Sequence, residues 1–222
     1  MTVFEKLLEL QRSKNTRLCV GLDPRVEQLP KPFKKNLKDL QKFLETVIEI
    51  THPFACAYKI NFAFFEQFGY KGMRIIENIK KIIPKEIVTI ADAKRSDIGS
   101  TAQAYAKSVY SYFDFDSITL NPYLGIDSLL PFFEYEGRLN FVLICTSNSG
   151  SADFQKIKLG KKFFFEIVLE KLTSSFPSET LGLVVGATNP TNSELFAKNV
   201  HKTLSLPPAL EPKVEIWMKY LE

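Results

Sequence analysis

The chain has 222 residues, of which 45% are hydrophobic and 24% charged, and carries a formal net charge of +4. That composition excludes a disordered, collagen-like or low-complexity protein, and the length fits a single domain, since all-β barrels and α/β barrels alike occupy about 200–250 residues as one unit. Lysines are spread along the chain rather than gathered in a stripe, so nucleic acid is not an expected partner. No apolar run approaches the ~18–20 residues of a membrane span. The start, Met1-Thr2-Val3-Phe4-Glu5-Lys6, lacks the order of a signal peptide, so a cytoplasmic protein without membrane contact is expected. Cys19, Cys56 and Cys145 are widely spaced among apolar neighbours and read as buried reduced thiols. With His52 and His201 as the histidines, a histidine-built metal site is not expected.

Short β-rich apolar runs predict strands over 17–23, 54–60, 86–92, 115–121, 140–146 and 181–187. Between them, helical spacing predicts helices through Phe43, Val47, Ile48 and Ile50, then through Met73, Ile75, Ile76, Ile79 and Ile82. Strands alternating with helices imply a parallel sheet, doubly wound or closed into a barrel. Most strands end in a polar residue, namely Asp23, Asn61, Asp92, Asn121, Thr146 and Thr188, where a barrel assembles its active site. No Gly-x-Gly-x-x-Gly follows the first strand, which removes the main support for a dinucleotide fold. The expected fold class is therefore α/β, a TIM (β/α)8-type barrel with about six clear βα units, because room for only about one more unit of ~30 residues follows Thr188. A capping box, Thr191-x-x-Glu194, starts a further helix. Residues 204–222 carry Pro207, Pro208 and Pro212 without a strand signal, so 1–203 reads as the barrel domain and 204–222 as an atypical tail.

The sharpest chemical feature is Thr89-Ile-Ala-Asp92-Ala-Lys94-Arg-Ser-Asp97-Ile-Gly-Ser-Thr101. At a strand end, the i, i+2 spacing of Asp92 and Lys94 places both side chains on one face. Asp97 follows just before a helix, and Lys59 ends the second strand. Two cations and two anions make a neutral array, which lowers the cost of burying charge and holds Lys94 protonated. A fixed cation in a water-poor pocket stabilises an anion that develops during reaction. Each residue also has a plainer reading alone. Asp97 fits a helix N-cap, Lys59 a strand-end lysine with its head in water, and Asp92 with Lys94 a structural ion pair. Asp23-Pro24-Arg25 fits a turn, Ser147 and Asn148 local caps, Cys145 a core thiol, and Lys161-Lys162 a solvated helix face. The 19 phenylalanines, Phe62, Phe64, Phe65 and Phe163 to Phe165 among them, read as core and interface packing.

Asp-x-Lys-x-x-Asp-Ile-Gly-x-Thr after an apolar strand resembles the signature of the orotidine 5'-monophosphate decarboxylases. Segments 20–25, 58–66, 121–125, Thr146-Ser-Asn-Ser-Gly150 and 184–190 resemble the bacterial type 2 branch, in the right order over about residues 1–200. The resemblance implies a metal-free, cofactor-free barrel acting on a small-molecule nucleotide as a homodimer with shared sites. It implies that Lys59, Asp92 and Lys94 come from one subunit, with Lys94 as proton donor, and Asp97 and Thr101 from the other. It further implies that Asp23 and Thr101 contact the ribose and Ser147 the pyrimidine. Ser96 stands where the branch usually has glycine, and Ser149 where it usually has proline. A sister group acting on sugar phosphates with a divalent metal shares Asp-x-Lys-x-x-Asp, but the Asp-Ile-Gly-x-Thr continuation and the Thr-Ser-Asn segment argue against it.

The family closes its barrel with a seventh strand ending in a glycine-rich phosphate loop and an eighth strand carrying an arginine, and residues 189–222 show neither. A shift of reading frame near residues 200–208 accounts for this. With permitted codons, 208–221 read in another frame resembles the absent loop, and Trp217-Met218, each with a single codon, forces Leu-Asp or a close variant there. The alternatives are a natural shortened tail or a catalytically impaired remnant, with weak activity and poor solubility expected. Restoring the frame after about residue 203 is expected to raise orotidylate turnover above that of the 222-residue chain. Equal turnover by both forms would overturn the frame-shift reading.

Overall fold

The computed structural model describes residues 1–186. The expected strand end at Thr188, the capping box at Thr191 and the 204–222 tail lie outside the described residues. The chain forms two compact units, one of Met1–Ala93 with Lys107–Ile118, the other of Lys94–Ala106 with residues from Thr119 onward.

In the first unit, helix α1 (Val3–Ser13) opens on a capping box. The Thr2 hydroxyl accepts the Glu5 N–H at 3.2 Å, and the Glu5 carboxylate accepts the Thr2 N–H at 2.7 Å. Val3, Leu7 and Leu10, at helical spacing, form its buried side. Strands β1 (Cys19–Gly21), β2 (Ala57–Asn61) and β3 (Val88–Arg95) pair in parallel, with Gly21 opposite Lys59 and Asn61 opposite Asp92. Between β1 and β2, helix α2 (Leu37–Thr51) starts at Asn36, whose side chain accepts the Asp39 N–H at 2.9 Å. Its buried stripe is Leu40, Leu44 and Ile48. Ile50, expected on the apolar side, is 64% exposed, because two residues turn a helix by about 200° and put it opposite Ile48.

Helices α3 (Ala63–Glu66) and α4 (Tyr70–Ile82) fill the next crossover, and α4 buries Gly72, Ile75, Ile76 and Ile79. Ile82, also expected on the apolar side, is 43% exposed at the last turn. At the N-terminal ends of the strands, the Asp116 carboxylate accepts the Thr89 N–H at 2.8 Å and its hydroxyl at 2.9 Å. Lys6 of α1 pairs with the same carboxylate at 3.2 Å and also donates to the Ile87 carbonyl. Lys14, just after α1, donates to the His52 and Ala55 carbonyls past the end of α2, so a lysine in α1 and one at its end tie that helix to the strand–helix framework.

In the second unit, β5 (Leu139–Cys145) pairs in parallel with β8 (Leu181–Val185), and Gly182 lies against the Phe141 ring, where a Cβ would clash. Helix α5 (Gly99–Lys107) follows β3, and α6 (Leu130–Phe133) follows β4 (Ser117–Leu120). Helix α7 (Phe164–Ser175) packs Phe165, Leu169 and Leu172 inward. Before it, β6 (Lys158–Leu159) and β7 (Lys162–Phe163) make an antiparallel hairpin around Gly160 at φ +66°. Lys161 and Lys162 therefore do not lie on a helix face. The left-handed glycine turns the chain there, α7 begins only at Phe164, and Lys162 pairs with Glu170 at 2.6 Å.

The strands follow one another in the sheet in chain order, β1-β2-β3-β4-β5-β8. A doubly wound sheet reverses its order at a switch point, and no reversal occurs here, which is the progression of a barrel. None of the three cysteines forms a disulfide; Cys56 and Cys145 are buried as expected, whereas Cys19 is half-buried. Among the described residues no helix is long and apolar enough to cross a membrane.

The α3–α4 approach is the least tolerant contact of the first unit. A Cβ on Gly72 would run into the main-chain carbonyl of Phe65, which cannot rotate aside. Gly72→Ala is expected to lower stability by about 1–3 kcal/mol through overpacking, read as a lower urea midpoint; an unchanged midpoint would refute the backbone contact.

Candidate active site

Lys59 is the third residue of β2, and the strand's neighbours on both sides bury it to 4% exposure. A buried ammonium requires partners, and two carboxylates supply them. Lys59 Nζ lies 2.9 Å from Asp92 Oδ2 and 3.1 Å from Asp23 Oδ2. Asp92 is 1% exposed and comes from β3, while Asp23 is half-buried in the segment after β1. The other Asp23 oxygen accepts the Asn61 N–H at 3.1 Å, and the Leu22 N–H donates to the Lys59 carbonyl at 2.8 Å. The ends of three parallel strands are thus tied around one ammonium.

This geometry corrects two of the plainer sequence readings. The head of Lys59 does not reach water, because both flanking strands bring a carboxylate to it. Asp23 is more than a turn residue, since its carboxylate bonds the end of the neighbouring strand. Burial alone would push the Lys59 pKa down; the Asp92 and Asp23 carboxylates outweigh it and hold the pKa above the ordinary lysine value. Cys19, close to the same charges, has its thiol pushed up to about 12 by burial, against the opposing pull of Lys59. It is protonated at neutral pH and is no nucleophile.

The next candidate residues belong to the second unit. Lys94 is an exposed residue near the end of β3, with φ +48°. Such a left-handed backbone is uncommon outside glycine, so strand alternation does not govern where this side chain points. The i, i+2 argument for a shared face of Asp92 and Lys94 assumes extended backbone, which Lys94 does not have. The conformation is held by a hydrogen bond from the Lys94 N–H to Thr119 Oγ1 at 3.0 Å.

Asp97 is half-buried, and its Oδ1 accepts the adjacent Ile98 N–H at 2.8 Å. Helix α5 begins at Gly99, so Asp97 lies one residue before the N-cap position expected of it. Thr101 is exposed in the first turn of α5. The hydroxyl of Ser96, just before Asp97, is buried without a hydrogen-bond partner.

Ser147 is exposed just after β5. The preceding Thr146 is gripped by Gln155, whose Oε1 accepts the Thr146 N–H at 2.8 Å and whose Nε2 donates to Thr146 Oγ1 at 2.9 Å. The Thr146 hydroxyl donates in turn to Asn148 Oδ1 at 2.6 Å. On its other side, a Cβ on Gly186 would lie 2.7 Å from the Ser147 nitrogen.

The structure therefore gathers Lys59, Asp92 and Asp23 in direct contact, carries Lys94, Asp97 and Thr101 on one short segment, and sets Ser147 at the end of β5. Sequence reasoning missed Thr119, Gln155 and Gly186. Gly186 falls within segment 184–190, but nothing in the sequence marks its role or those of Thr119 and Gln155, since each acts on main-chain atoms of a residue far along the chain or across a loop. Among the described residues no cluster of three His, Cys, Asp or Glu side chains is arranged to hold a metal.

A sequence profile described as "Orotidine 5'-phosphate decarboxylase / HUMPS family" matches residues 16–213. The chain is 46% identical over 192 residues to an orotidine 5'-phosphate decarboxylase of Dehalococcoides mccartyi, covering 85% of this chain and 69% of that one. It is 39% identical over 215 residues to that of Leptospira interrogans, covering 93% and 77%. The solved OMP decarboxylase of Leishmania donovani superposes with a TM-score of 0.81 at 39% identity, covering 91% of this chain and 76% of that one.

Lys59→Met would leave two carboxylates facing each other without their cation. It is expected to lower stability by about 3–5 kcal/mol in urea unfolding at neutral pH. Because the folded-state pKa of Lys59 is raised, the stabilisation from this ammonium is complete below about pH 10.4 and is lost as pH rises through the folded value. The variant should lack that alkaline component, and equal alkaline profiles would contradict the assignment.

Proposed function

Because the chain belongs to the orotidine 5'-phosphate decarboxylase / HUMPS family, we propose that it converts orotidine 5'-monophosphate to uridine 5'-monophosphate and carbon dioxide in pyrimidine nucleotide synthesis. The observation that carries this reading is the buried Lys59 bridge between Asp23 and Asp92 at the ends of β1, β2 and β3. It is an unusual investment of buried charge at the strand ends where this fold places its chemistry.

The residue types suit the reaction. The bond between C6 and the carboxylate breaks, carbon dioxide departs, and the electron pair stays on C6 in the plane of the ring. The π system cannot delocalise that pair, so stabilisation comes through space from a cation. Lys94, two residues beyond Asp92, is read as that cation and as the donor that transfers its proton to C6, regaining one from solvent afterwards. Its left-handed backbone, at a cost of order 1–3 kcal/mol, fits a position kept for chemistry rather than for stability. Lys59 pairs with Asp92 at 2.9 Å, and Asp92 is read as facing the departing carboxylate. Asp23 is assigned to the ribose and Ser147 to the pyrimidine.

We read the active form as a cytoplasmic homodimer with shared sites, in which Asp97 and Thr101 complete the partner's site. The chemistry as written needs no metal or cofactor. In an assay containing EDTA, the chain is expected to release carbon dioxide from orotidine 5'-monophosphate. Lys94→Ala should lower kcat by about 10²–10⁴-fold, the range of a general acid, while still binding uridine 5'-monophosphate. Turnover only of a sugar phosphate, and only with a divalent metal, would favour the sister chemistry instead.

A further inference from the structure

The polar contacts around Thr146 have an order that burial alone does not require. Residues 149–163 leave the sheet after β5, pass through a 3-10 turn (Ser149–Asp153) and the β6/β7 hairpin, and return at α7. One side chain latches this excursion back to the strand. Gln155 uses both ends of its amide, accepting the Thr146 N–H at 2.8 Å and donating to Thr146 Oγ1 at 2.9 Å. The Thr146 hydroxyl also lies 2.6 Å from Asn148 Oδ1 and 3.3 Å from Gln155 Oε1, so residues 146, 148 and 155 share one hydrogen-bonded cluster.

Gln155 is itself fixed on both sides. Its N–H donates to the Ser151 carbonyl at 2.9 Å, and its carbonyl accepts the Phe165 N–H at 3.1 Å. From the other direction Gly186 presses on Ser147, with a virtual Cβ at 2.7 Å from its nitrogen and 2.9 Å from its Cα, while the Gly186 N–H bonds the Cys145 carbonyl at 2.7 Å. Ser147 thus sits between residues held from both sides although its side chain is exposed. An exposed serine that needed only solubility would require no such bracing; one that must meet a ligand ring at a set height does.

We propose that Gln155 is a positioning residue for the pyrimidine, acting through Thr146 to place Ser147. The inference rests on the decarboxylase reading and on the Ser147 assignment within it. Gln155 touches no substrate; it holds the strand end from which the ring contact is made. It should therefore affect ligands that carry a pyrimidine and spare those that carry only the sugar phosphate.

The test compares wild type, Gln155→Leu, Thr146→Val and the double variant. It measures kcat and KM for orotidine 5'-monophosphate and inhibition by uridine 5'-monophosphate and by ribose 5-phosphate. Each single variant is expected to raise KM and weaken inhibition by uridine 5'-monophosphate about tenfold, the loss of roughly one hydrogen bond's worth of preorganisation. Ribose 5-phosphate inhibition should be unchanged, and the double variant no worse than Gln155→Leu alone, which already removes both bonds to Thr146. Equal weakening of both inhibitors, additive effects of the two substitutions, or wild-type constants throughout would each overturn the positioning role. Should one single variant fail to fold, the other carries the comparison of the two inhibitors alone. A wild-type chain that neither turns over orotidylate nor binds uridine 5'-monophosphate would overturn the decarboxylase reading first, and the positioning role with it.

Discussion

A single ammonium, that of Lys59, organises the ends of the first three strands. Its burial is tolerable only because Asp92 and Asp23 lie 2.9 and 3.1 Å away, and their burial is tolerable only because it is there. The pairing also constrains geometry, since charge-assisted hydrogen bonds are short and directional. With Asp23 also bonded to the Asn61 N–H, the segment after β1 cannot lift from the sheet without exposing an unmatched charge. Replacing the three groups by well-packed apolar side chains would cost little stability by comparison.

The opposite strand ends are secured by different means. There Asp116 accepts from Thr89 and pairs with Lys6 of the first helix. Its partners are a main-chain amide, a hydroxyl and a partly exposed lysine, which is ordinary structural bonding. The two ends thus use the same residue types with different burial. One is a tie between a helix and the sheet, and the other a closed cluster of three charged side chains at 4% exposure for its cation.

The six strands were legible because a buried parallel strand must be a short apolar run, and each such run stands where a strand forms. Helix α1 escaped the reading of apolar periodicity, although Thr2-x-x-Glu5 carried a capping signal. The β6/β7 hairpin escaped too, because two-residue strands hold no periodicity and the lysines around Gly160 read equally well as a helix surface. In the site, Asp92, Lys59 and Asp23 were legible from residue type at strand ends. Lys94 was legible as a residue but not as a conformation, since nothing in its neighbours announces a left-handed φ. Gln155 and Gly186 were illegible, because their roles lie in hydrogen bonds and close approach to a main chain that only folding brings near.

What the amino-acid order determined by itself was the succession of parallel strands, the polar residues that end them and the spacing of the Asp-x-Lys-x-x-Asp segment. Those follow from local rules of burial and periodicity, which act over a few neighbouring residues. What the tertiary structure decided was which charges meet, how deeply they are buried and how the strand-end backbones are held. Lys59 is 33 residues from Asp92 and 36 from Asp23, so their pairing depends on strand register. Whether an ammonium ends in water or between two carboxylates is a property of that register, and sequence alone assigns both outcomes to the same lysine.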